Sequence, residues 1–226
     1  MKKAYVYKMN LVPANLLGLV VFILLLVLTS ALNIDIMSVF NKLPFIEVLA
    51  LLMIYMVLHE LLHGIGYRIT GSKSNKIKYG VELEKGILYT LVLEEVPKKN
   101  ILVSLQMPFV VIGVITYIIG YVCHIPYLVF LSIVNLVGAC MDLMMFFYIY
   151  KLDNDVRYSE SGEPDEFVLI SSEDLTKKKS KYFKIVEVKD YKKSDYQFKN
   201  IKKITISKTS YIVLGILILI SLLSLF

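Results

Sequence analysis

The chain of 226 residues has no tryptophan, two cysteines, six prolines and three histidines. Its basic residues are almost all lysine, with Arg68 and Arg157 the two exceptions. Cys123 and Cys140 make no disulfide framework and form no CxxC pair, so no metal or redox role is assigned to them. Charge is scarce as well, at 19% of residues against 57% hydrophobic. An ordinary soluble domain is roughly 45–50% apolar, and the mean hydropathy of +0.65 lies on the membrane side of that comparison. The net charge of +6 is no nucleic-acid footprint, because the lysines sit in blocks that flank apolar runs.

Those runs lie at about 11–32, 45–67, 101–122, 127–150 and 211–226. Spanning a bilayer core takes roughly 20 helical residues; the first four runs meet that length and the fifth is short. The sequence therefore predicts an all-α polytopic membrane protein of about five transmembrane helices. Residues 1–150 form a membrane domain, 151–210 a polar segment and 211–226 a C-terminal span. The apolar run after the first lysines is long for a signal peptide and lacks a small-residue cleavage site, so it reads as a retained span. Lysine and arginine number three in 1–10, seven in 68–100 and fourteen in 151–210, against one in 33–44. By the positive-inside bias, the N-terminus and both larger basic segments face the cytoplasm of a multi-pass cell-membrane protein. KIKYGVEL and ILYTLVLEE alternate in part between polar and apolar and predict a cytoplasmic β-hairpin at 76–93. FVLI, YFKIVEV and ITIS predict a small β-rich or partly disordered cytoplasmic segment, and the lysines around them suit anionic lipid.

The few ionisable residues inside the apolar runs carry the chemistry. They are Glu47, near the outer end of the second run, and His59, Glu60, His63 and Asp142. Ionisable groups at that depth are expensive and mark functional sites. In HELLH the histidines are four apart and share a helix face, so both can ligate one Zn²⁺ while Glu60 stands beside them as a base. A catalytic zinc site keeps three protein ligands and an open position. Asp142 qualifies as the third: it lies about 10–15 Å inside the same boundary as the histidines, at 1.5 Å per helical residue. Asn135, Gly138 and Asp142 recur at i, i+3, i+7; Gly138 and Ala139 predict a close helix approach there, and Asn135 a helix-bonding role.

HELLH on one span and an aspartate on a later one resembles the site-2 protease type of intramembrane zinc metalloprotease. NLVGACMD is similar to that group's Asn-to-Asp-Gly motif, but it is one residue shorter, lacks its proline and has Leu143 in place of the glycine. A closer resemblance is to a family of small bacterial membrane proteins described as zincin peptidases, over roughly residues 45–170. The resemblance implies a zinc peptidase whose partners are a membrane-embedded or membrane-associated protein substrate and the lipid bilayer. The same four residues also suit a metal-ion or proton carrier, or an inactive metal-binding scaffold. The hairpin fits either strand addition to a substrate or a capping loop.

Overall fold

In the computed structural model, residues 2–82, 87–161, 165–178 and 180–191 are described. The fifth apolar run, at 211–226, and the ITIS run lie outside them. The first long helix, α1 (Leu11–Ala31), starts where the Asn10 side chain accepts the Val12 N–H at 3.3 Å. A short α2 (Met37–Lys42) leads to α3 (Phe45–Ile69), which begins after Pro44. It stops at Gly71, whose φ of +105° is open to glycine and strained for other residues. Next come α4 (Lys98–Pro108), a wider π-type turn over Phe109–Ile115, and α5 (Thr116–Val122), which together form one span. The wide turn follows Pro108, which supplies no backbone N–H to the helix ladder. Finally, α6 (Pro126–Gly138) and α7 (Cys140–Tyr150) meet at a 48° bend around Ala139.

Among the described residues, three helical stretches are long and apolar enough to cross a membrane, or four if the bent pair counts as one. Large apolar side chains along α1, such as Leu16 and Leu24, are about 60% exposed. That suits contact with lipid rather than water.

All-α is corrected to mostly helical with a β-sheet region. Strands β1 (Lys3–Met9), β4 (Val96–Pro97), β5 (Arg157–Glu160), β6 (Glu166–Ser171) and β7 (Phe183–Asp190) form one antiparallel sheet in the order β4-β5-β6-β1-β7. FVLI and most of YFKIVEV become β6 and β7, as their alternation suggests. The N-terminal segment, read from sequence only for its three lysines, supplies β1, which pairs with β6 on one side and β7 on the other. Tyr7 stacks on Phe167 at 5.1 Å, and Phe183 meets Phe167 edge-on at 5.4 Å. This aromatic layer shares a core with Tyr67, Ile101, Met145 and Ile149, so the sheet is seated on the ends of α3, α4 and α7. Lys98 reinforces the seat: its buried Nζ donates to the Tyr150 and Leu152 carbonyls at 2.9 and 2.5 Å. Thus the described parts of the three lysine-rich segments meet on one side of the helices.

The hairpin is present as read, with β2 (Ile77–Glu82) antiparallel to β3 (Ile87–Val92); its turn, 83–86, lies outside the described residues. It packs on α3 and touches the sheet through Glu160. There Oε2 accepts from the Tyr158 hydroxyl at 3.0 Å, and Oε1 accepts the Val92 N–H at 3.4 Å. Burial pushes the Glu160 carboxyl up to about 7. An acid whose pKa is raised on folding contributes stability that is full below its unfolded value, about 4.3, and is lost as pH rises through 7. Melting temperatures in detergent should therefore fall more steeply between pH 5 and 8 in wild type than in Glu160→Gln.

Candidate metal centre

The two histidines of HELLH lie one turn apart on α3, and each is fixed at Nδ1 by an oxygen from another helix. His59 Nδ1 stands 2.8 Å from Asn135 Oδ1, and His63 Nδ1 stands 2.9 Å from the Ser104 carbonyl. The Asn135 amide is oriented in turn, since its Nδ2 donates to the Pro108 carbonyl at 3.0 Å. Both partners of the rings are oxygens that can only accept, so each Nδ1 carries a proton, and each ring in its neutral form offers an Nε2 lone pair.

Those lone pairs converge. The two Nε2 atoms are 3.1 Å apart, and Asp142 Oδ2 lies 3.1 Å from that of His59 and 3.5 Å from that of His63. Three acceptors with no proton between them repel one another unless a cation joins them. With bond lengths of about 2.0–2.2 Å, donors in a tetrahedral zinc site stand roughly 3.3–3.6 Å apart. The donor set fits zinc in chemistry, and its separations of 3.1, 3.1 and 3.5 Å lie within about 0.2 Å of that spacing. His63 is buried, His59 is partly exposed and lines a cavity, and Asp142 is partly exposed.

Local sequence explains the convergence. The 48° bend ends α6 just past Asn135 and starts α7 just before Asp142, so both reach His59 from either side of the break. Asp142 falls in the first turn of α7, where helix N–H groups favour a carboxylate. On the other side, α3 and α4 come close at Gly66, where an added Cβ would sit 2.6 Å from Ser104 Cα. That approach brings the Ser104 carbonyl to His63, and Ser104 Oγ donates back to the His63 carbonyl at 3.0 Å.

A Glu60 carboxylate oxygen lies within 4.8 Å of a donor nitrogen on each histidine. Thr90 of β3 holds it: Thr90 Oγ1 is 2.9 Å from Glu60 Oε2 and 2.7 Å from the Glu60 carbonyl. One face of the hairpin thus lies against the helix that carries the site. A cavity of about 380 Å³ opens beside Glu60, with Leu88 of the hairpin, Tyr55, Met56 and Val134 in its walls.

The structure brings together all four residues singled out in the sequence. It also adds three that sequence reading left aside or assigned otherwise. Asn135 bonds a ring of the site as well as a helix backbone. Ser104 was a small polar residue in an apolar run, and Thr90 a hydroxyl on the α3-facing side of a strand. The close helix approach expected at Gly138 is corrected: among the described residues nothing lies within 4 Å of a Cβ placed there. Asn135→Leu removes the acceptor that fixes the His59 tautomer. Lost outer partners typically weaken metal affinity about 10–100-fold, and competition with a chromogenic zinc chelator should report a loss in that range.

A helical membrane-type chain with an HExxH pair facing a carboxylate from another helix has the outline of a membrane metallopeptidase. Residues 52–157 match the model of the putative zincin peptidase family. That span contains His59, Glu60, His63 and Asp142, and the match points to a zinc peptidase. An uncharacterized 24.7 kDa protein of Pyrococcus woesei is 28% identical over 114 residues, 49% of this chain and 50% of its own length. The chain thus spans about half the length of the curated relative it matches. No solved structure matches it.

Proposed function

We propose that the protein is an intramembrane zinc metallopeptidase that hydrolyses a peptide bond in a membrane-embedded or membrane-associated protein. The observation that carries this reading is the convergence of His59 Nε2, His63 Nε2 and Asp142 Oδ2 within 3.1–3.5 Å, with Glu60 alongside. Those three atoms would hold the metal. Zinc, when bound, supplies Lewis acidity that makes water a nucleophile near neutral pH and polarises a carbonyl.

The remaining work falls to the chain. Asn135 and the Ser104 carbonyl keep the protons on Nδ1, so both Nε2 atoms stay available. Glu60 takes a proton from the attacking water on its carboxylate and returns it to the leaving amine nitrogen. Thr90 orients that carboxylate by a hydrogen bond, and the apolar walls beside it exclude bulk water. The lysine bias supports a cytoplasmic position for the sheet, the hairpin and the end of α3 nearest the site. Two carboxylates and two neutral rings around a dication also leave no isolated charge at membrane depth.

Elemental analysis of detergent-purified protein, prepared without chelators, tests the reading. The expected result is about one zinc per chain in wild type and none in a His59→Ala, His63→Ala double variant. Wild type free of zinc would overturn it.

A further inference from the structure

Gly138 has no conventional reason to be glycine. Its backbone is ordinary helix at the end of α6, and it is absent from the positions of positive φ. Among the described residues its missing side chain permits no close packing either, because a Cβ there meets none of their atoms within 4 Å. What adjoins it is open space on two sides. The cavity of about 380 Å³ beside Glu60 ends at Gly138, and a second cavity of about 610 Å³, between α1 and the α6–α7 bend, begins at the same residue. The second is walled by Leu11, Ala14, Val137 and Met141, and has Asn15 and Asp165 among its polar lining.

We propose that these two cavities form one cleft that seats an extended, apolar stretch of the peptide substrate, and that Gly138 keeps the passage between them open. This rests on the zinc-peptidase reading above. The first cavity offers apolar walls with His59, Glu60 and Asn135 along one side, so an occupant there lies against the reacting groups. Its volume is at the lower end of the roughly 300–1,000 Å³ of pockets that enclose small ligands, enough for a few side chains and too little for a packed helix. The second cavity carries the occupant past the bend toward the sheet side, where Asp165 stands. The specificity that follows is for large apolar residues flanking the cleaved bond.

The test uses the full chain in detergent micelles, loaded with cobalt(II), whose visible bands report ligands entering the site. The probes are acetohydroxamic acid, which reaches only the metal, and the hydroxamate of N-acetyl-leucyl-leucine, which also extends into the cleft. Wild type should bind the leucyl probe about 100-fold more tightly or better, as burying two leucine side chains implies. Gly138→Leu should lose at least about tenfold of that margin while its acetohydroxamate affinity stays within about twofold. Gly138→Ala should resemble wild type. Val134→Phe narrows the same wall and replaces Gly138→Leu should that variant fail to fold. A margin unchanged in the narrowed variant, or absent in wild type, overturns the cleft. So does a margin set by the detergent's acyl-chain length, which would give the space to lipid. Wild type that holds no cobalt, or whose bands respond to neither hydroxamate, overturns the zinc-peptidase reading itself and the cleft with it.

Discussion

Glu60→Gln should retain about one zinc per chain and lose cleavage by roughly 10²–10⁴-fold, the range that a positioned general base contributes. The two halves of this result have separate causes. The proposed metal donors are His59 Nε2, His63 Nε2 and Asp142 Oδ2, and none is altered. Glutamine matches glutamate in shape and keeps an oxygen for the Thr90 hydroxyl, which stands 2.9 Å from Oε2 in wild type. Packing of the hairpin on α3 is therefore preserved. What glutamine lacks is the ability to take a proton at neutral pH and give it back. The measurement is cleavage of a peptide library in detergent, followed by mass spectrometry, with zinc analysed in the same samples. Cleavage by Glu60→Gln at the wild-type rate would remove Glu60 from the mechanism.

Asp142→Ala should purify with far less than one zinc per chain. Two imidazoles remain, and both stay oriented by Asn135 and Ser104, but the only anionic donor of the three is gone. The affinity loss should exceed the roughly 10–100-fold that follows removal of an outer partner, because a direct ligand and its charge leave together. Asp142→Asn separates these contributions: it restores an oxygen donor without the charge and should recover part of the affinity. Equal zinc in wild type and Asp142→Ala would rule out the aspartate as a ligand and turn attention to Glu60, the other carboxylate near both rings.

The centre was legible in the sequence because its signals are local or nearly so. A spacing of four fixes two histidines on one helix face whatever the rest of the fold does. Asp142 could be matched by depth, since apolar runs of similar length give each residue a height in the bilayer. Asn135 could not be resolved by that argument. Counted along a straight helix it lies about two turns from Asp142, and only the bend at Ala139 lets both reach His59. Gly138 misled for a related reason, because a small residue in an apolar helix predicts close packing, whereas here it borders space. Of the fold, the spans and hairpin were visible as periodicity. Strand β1 was not: KAYVYKM is short, follows the N-terminus directly and shows basic character before any alternation. Its partners lie more than 150 residues away, beyond the reach of any pattern in a local window.

That distance along the chain has a consequence for how the molecule is made. Lys3 pairs with Ser171 and with Asp190, so β1, which precedes α1, waits for both partner strands while α1 through α7 are made. Joining ends so far apart carries a loop-closure cost that helix formation does not, and a lone strand with two open edges is prone to pair wrongly. His59, His63 and Asp142 all emerge earlier than either partner of β1. The residues of the metal centre are thus complete in the nascent chain before the sheet can close, and shortening the chain ahead of β6 would leave them on helices whose cap had lost its middle strand.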